Sequence, residues 1–169
     1  MTLKHLIPLL TLAALLPLNA TAQSADETAA IKAPALDYIE SWYEGNPDRM
    51  QRALHPDLAK RIVERGPDGK SELDHMTAEK LVEGVRRGGG KKTPPEKQQK
   101  DITILDVYEK IAAVKIVASG WVDYLHIAKY DDRWVIINVL WEMKPKPAAA
   151  LVPAFRAAKA DPATALRSE

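Results

Sequence analysis

Residues 111–143, IAAVKIVASGWVDYLHIAKYDDRWVIINVLWEM, decide the architecture. Val, Ile, Tyr and Trp crowd this stretch, and such residues suit a pleated, half-buried surface better than a helix. With Ile102–Glu109 before it, the pattern predicts three strands: 102–109, 111–130 and 133–143. Short turns at Glu109-Lys110 and Asp131-Asp132 make them successive antiparallel hairpins. Gly120 interrupts the long middle strand and predicts a bulge or bend, which a strongly curved sheet needs. On strand 133–143 both alternating sets are apolar: Val135, Ile137, Val139 and Trp141 on one face, Trp134, Ile136 and Leu140 on the other. A strand apolar on both sides needs cover on both, so something is expected to cover the back of the sheet.

Upstream, the period changes from two to 3.6. Leu36, Ile39, Trp42 and Tyr43 fall at helical spacing, with Asp37, Glu40 and Ser41 opposite. Proline is tolerated best in a first turn, so this helix is expected to start near Pro34, with Gly45 as its C-cap. Asn46-Pro47 reads as an N-cap and first helical position. The second helix turns Met50, Ala53 and Leu54 inward and stops at His55, because Pro56 disfavours helical geometry in its predecessor. Residues 58–63 fit a helix turn or a short strand equally, and Gly66–Ser71 is turn-rich. Thr77 caps a third helix carrying Leu81, Val82 and Val85, ended by the glycines from Gly88. A basic loop continues to residue 100. Helices followed by a bent antiparallel meander predict an α+β domain with the helices on one sheet face.

The ends and the composition bound the setting. Lys4 and His5 precede an apolar run, Leu6–Leu18, and then Ala20-Thr21-Ala22, a small-x-small cleavage pattern. This predicts a signal peptide over 1–22, a mature start at Gln23 and a periplasmic or secreted location; the alternative is an uncleaved anchor. The chain has no cysteine, so disulfides, thiolate nucleophiles, thiolate metal sites and a lipidated cysteine are excluded. It holds 24 Lys and Arg against 23 Asp and Glu, and loss of Lys4 equalises them. That balance argues against a nucleic-acid binder, whose affinity rests on phosphate neutralisation. The expected organisation is one domain over 23–147 and an Ala-rich tail over 148–169.

The segments ALDYIESWYEGNPDRMQRALHPDLAKRIV (35–63) and GWVDYLHIAKYDDRWVIINVLWEMKP (120–145) resemble the nuclear transport factor 2-like superfamily. Within it they are similar to the SnoaL-like, lumazine-binding branch. The carrying features are Trp42-Tyr43 at a helix end, His55-Pro56 after the second helix, Asp123-Tyr124-Leu125 on a strand and Trp141 on the last strand. The resemblance implies a cone, three helices against a curved sheet, with a pocket between helices and concave face. Domains of this superfamily often pair through the back of the sheet, so the resemblance implies a homodimer. Ketosteroid isomerase and scytalone dehydratase share that shape, but one fold hosts many chemistries.

Neighbours on a strand face opposite ways, so only one of Asp123 and Tyr124 can enter such a pocket. If the parity of Val114 and Ile116 continues unbroken, Tyr124 and His126 face inward and Asp123 outward; a break at Gly120 reverses this. Histidine is the one side chain titrating near neutrality unaided, so His55 or His126 is the candidate base for an isomerase or dehydratase. His55, His75 and His126 lack the spacing of metal-ligand pairs, and no metal or cofactor is expected. Arg86–Thr93 imitates a phosphate-binding loop, but Val85 stands where that loop needs glycine, and the segment follows a helix. The candidate lining residues are therefore Trp42, His55, Tyr124, His126 and Trp141. Three functions compete: an exported small-molecule-binding domain, an enzyme using a pocket histidine, and a structural dimerisation module.

Overall fold

The computed structural model describes residues 24–145. The expected signal peptide over 1–22, the expected mature start at Gln23 and the Ala-rich stretch 148–169 lie outside the described residues. Two helices, α1 (Ala25–Glu44) and α2 (Pro47–Ala53), lead into strands β1 (Leu54–Arg65) and β2 (Ser71–Thr77). Helix α3 (Ala78–Arg86) comes next, and then β3 (Lys100–Tyr108), β4 (Ile111–Ala118), β5 (Trp121–Tyr130) and β6 (Arg133–Met143). The six strands form one open sheet in the order β2-β1-β6-β5-β4-β3, antiparallel except where β1 runs parallel to β6. The helices bury their apolar faces on one side of it, so the architecture is α+β, as the residue pattern requires.

Local signals set the helix boundaries, with two exceptions, the first being that α2 ends at Ala53, so Leu54 and His55 open β1 instead of closing the helix. Gly45 takes the left-handed conformation (φ 66°), and the Asn46 side chain accepts from Arg49 N at 3.1 Å with Pro47 at the first position. Thr77 likewise caps α3. Helix α1, however, begins at Ala25 under a Ser24 cap and runs through Pro34. A mid-helix proline costs about 3 kcal/mol in isolation. Here it lies on the buried face with Ile31, Ala35, Tyr38 and Ile39, and tertiary burial outweighs the local penalty. The buried face is rotated from the expected one: Ser41 is fully buried, its hydroxyl donating to Tyr38 O, while Leu36 is partly exposed. Arg49 then clamps α2 to α1 through Asp37, Glu40 and Glu44.

Two breaks in strand parity position the interior side chains. The stretch 111–130 is two strands, joined by a tight turn at Ser119-Gly120. Its register, Ile116 opposite Asp123 and Val114 opposite Leu125, puts even-numbered residues of β4 and odd-numbered residues of β5 on the inner face. A bulge at Ile137 then lets Ile136 and Val139 both face the core. The phenol of Tyr43 locks the Ser119 turn to α1: its oxygen lies 3.0 Å from Ser119 N and 3.1 Å from Gln99 O. The β5–β6 turn has both Asp131 and Asp132 at positive φ, the twist that two-residue hairpins favour.

The region left open between helix and strand, residues 58–63, is strand. Leu58, Lys60 and Ile62 alternate inward along β1. Strand β2 has no counterpart in the sequence pattern, because its residues are mostly exposed and it gains its order by pairing with β1.

Candidate functional site

Between α1, α2, α3 and the concave face lies a cavity of about 270 Å³. Its walls are of two kinds. Tyr38, Trp42, Trp121 and Trp141 are flat and stiff; Met50, Met76 and Met143 are unbranched and pliable, with Leu81 completing the wall. The methylenes of Lys60 form part of the floor.

Beneath that floor a polar chain holds the aromatic walls. Lys60 is 5% exposed and Asp123 is fully buried, and Lys60 Nζ donates to Asp123 Oδ1 at 2.5 Å. Lys60 Nζ also donates to the Tyr38 hydroxyl at 2.8 Å and lies 4.5 Å from the centre of the Trp141 ring. Trp121 Nε1 donates to Asp123 Oδ2 at 2.6 Å. Two N–H groups of the ammonium and both carboxylate oxygens are therefore engaged inside the protein, with the Trp141 ring against the ammonium. Burial pushes the Lys60 amine below its ordinary value, and the Asp123 carboxylate opposes that shift. Burial, reinforced by Asp123, holds the Tyr38 phenol well above its ordinary value, so it stays neutral. Edge-to-face contact between Trp42 and Trp121, centroids 5.8 Å apart, ties α1 to this network.

A second clamp acts on Trp42 from outside. The Gly88–Gly90 loop lies directly on the indole, and Gly90 N donates to Trp42 O at 2.9 Å. A Cβ added at Gly89 would stand 2.9 Å from Trp42 O, and one at Gly90 would stand 2.5 Å from Trp42 Cδ1. The glycines that imitate a phosphate cradle in sequence serve instead as a seat for an aromatic ring.

The structure places the five candidates unequally. Trp42 and Trp141 line the cavity. Tyr124 and His126 do not: both are exposed on the convex face, because the Ser119-Gly120 turn reverses the parity that runs from Val114 and Ile116. Asp123 takes the inward position instead. His55 lies on a separate surface groove between β1 and α3, packed edge-on against Tyr130 at 4.6 Å, with Nδ1 accepting from Asp57 N. His75 is exposed on β2. No histidine among the described residues reaches the cavity, so the arrangement offers stacking and apolar contact rather than a histidine base. Tyr38, Lys60 and Trp121 are the site residues that sequence reasoning missed. The signal for Lys60 was present: it shares the alternating parity of Leu58 and Ile62.

Three helices folded on the concave side of an open curved sheet define the nuclear transport factor 2-like class. Residues 26–142 match the model of the family described as "Putative lumazine-binding", and the chain belongs to that family. A protein from Methylobacillus flagellatus has a similar structure, with a TM-score of 0.58 and 20% identity, over 72% of this chain and 95% of that one. One from Silicibacter pomeroyi gives a TM-score of 0.56 at 14% identity, over 70% and 97%. One from Shewanella baltica gives 0.54 at 17%, over 72% and 96%. All three are nuclear transport factor 2-like proteins of unknown function, so the likeness speaks for the fold alone. No curated protein matches the sequence.

Proposed function

We propose that the chain is an exported small-molecule-binding domain whose cavity takes a flat, uncharged, largely apolar molecule. One observation carries this reading: stiff indole and phenol walls are held around a cavity by a buried Lys60–Asp123 pair whose two carboxylate oxygens are both taken. Rigid aromatic surface supplies contact area with little entropy to lose, and the three methionines adapt to shape. At about 270 Å³ the cavity stands just below the usual range for ligand sites, about 300–1,000 Å³. The histidine-enzyme reading loses support, since His55 and His126 lie elsewhere and Asp123 has no free oxygen. Export rests on the signal-like residues 1–22.

Titration with N-phenyl-1-naphthylamine, an uncharged aromatic fluorophore, tests the reading. Trp141→Ala is expected to weaken binding about tenfold by removing one wall, with Tyr124→Ala and His55→Ala unchanged. Lumazine, a polar ring suggested by the family description, is expected to bind more weakly, because the cavity walls are mostly apolar and would leave its polar groups largely unpaired. Tighter binding of lumazine would overturn the apolar ligand class, and equal binding by all variants would remove the cavity from the function.

A second observation favours self-association. No helix of the described residues covers the convex face. One row across it runs Arg61, Leu140, Tyr124, Lys115, apolar at the centre and charged at the ends. Val63 and Leu73 stand exposed beside it, and such a face suits a two-fold pairing that stacks its apolar centre on itself. The wild-type protein is expected to sediment as a dimer at micromolar concentration and Tyr124→Lys/Leu140→Lys as a monomer. A wild-type monomer would refute the pairing.

A further inference from the structure

Thioether sulfur is concentrated in one place. The chain has four methionines, Met1, Met50, Met76 and Met143, and the three within the described residues all line the cavity. They meet solvent to different extents. Met50 on α2 is fully buried, Met76 on β2 is partly buried, and Met143 at the end of β6 is 51% exposed. Met143 shares a strand face with Trp141, two positions earlier, and pairs across β6–β5 with Trp121. Both indoles are cavity walls, so a half-exposed sulfur stands beside them at the rim. Susceptibility of methionine to oxidation follows the access of its sulfur. With no cysteine in the chain, no thiol competes for a two-electron oxidant.

We propose that Met143 is an oxidation site for hydroperoxides, and that its oxidation lowers the affinity of the cavity for an apolar ligand. The effect on affinity rests on the cavity being a ligand site; the place of oxidation does not. The thioether sulfur attacks a peroxide oxygen, the O–O bond breaks and an S=O bond forms. Hydrogen peroxide leaves as water and an organic hydroperoxide as its alcohol. The sulfur loses two electrons and the peroxide gains them. A pliable apolar wall becomes a polar, chiral one. An apolar ligand packed against it would bury the new oxygen without a hydrogen-bond donor. The Trp121 N–H does not supply one, since it is already given to Asp123. Met50, whose oxidation would put a polar group into the core, is shielded.

Limiting hydrogen peroxide applied to the folded protein, followed by peptide mapping, tests the site. Among Met50, Met76 and Met143, the first oxygen is expected on Met143. The oxidised wild type is expected to bind N-phenyl-1-naphthylamine about tenfold more weakly than the untreated protein. Its tryptophan emission is expected to shift, and methionine sulfoxide reductases specific for the two epimers should together reverse both changes. Met143→Leu, compared with itself before and after the same treatment, is expected to show neither change. First oxidation at Met50 or Met76 overturns the proposal, as does an equal fall in probe affinity in treated wild type and treated Met143→Leu. Oxidation of Met143 that leaves probe binding intact overturns it too. Oxidation first at Met143 with the emission shift, but no probe binding by the untreated protein, upholds the oxidation site and refutes the ligand reading instead.

Discussion

Lys60→Met is expected to lower stability by about 3–5 kcal/mol, because it leaves the fully buried Asp123 carboxylate without its partner ion. Asp123→Leu is expected to cost a similar amount by stranding the Lys60 ammonium. The double variant Lys60→Met/Asp123→Leu should recover most of either loss, since two apolar side chains replace a pair whose desolvation cancels much of its attraction. What remains unrecovered is the Trp121 Nε1–H and the Tyr38 hydroxyl, each deprived of a partner. Chemical denaturation of the four proteins gives the coupling energy directly. Additive losses would show that the two groups do not act as a buried pair. The same set reports on the cavity: if the pair serves to hold Trp121 and Trp141, the double variant folds but binds the naphthylamine probe more weakly than wild type.

The second large effect is expected at Gly90. Its substitution by alanine places a methyl 2.5 Å from Trp42 Cδ1 and 3.0 Å from Tyr43 Cδ1. Neither ring can yield cheaply. Trp42 abuts Trp121, and the Tyr43 phenol holds the Ser119 turn. Overpacking of this kind costs about 1–3 kcal/mol, and here it also displaces a cavity wall. Gly90→Ala is therefore expected to lose both stability and probe affinity, with a shift in tryptophan emission. Gly120→Ala, where an added Cβ meets nothing within 4 Å, is the matched control and should be close to neutral. A stable Gly90→Ala with unaltered emission would show that the loop does not clamp the indole.

Most of the fold was legible in the residues, and the part that was not has a definable cause. Helix caps at Asn46 and Thr77, the C-cap at Gly45 and the turn at Asp131-Asp132 are local: their side chains and φ angles satisfy backbone groups a few residues away. The start of α1 was not legible, because Pro34 carries a local penalty that only burial against the sheet offsets. Strand β2 was invisible because its stability comes from β1, a partner that pairing brings to it.

The site divides in the same way. Trp42 and Trp141 were identifiable as cavity residues because large aromatic side chains on apolar faces point to a core wherever the chain places them. Tyr124, His126 and Asp123 could not be assigned, since a strand repeats every two residues and one turn reverses the side on which each of them lies. Sequence alone determined the class, helices on one face of a curved antiparallel sheet, because hydrophobic period, caps and turns are encoded residue by residue. Tertiary structure alone decided the chemistry of the interior. The Lys60–Asp123 contact joins residues on β1 and β5, and no local rule states that a lysine and an aspartate so far apart in the chain will share one buried ion pair.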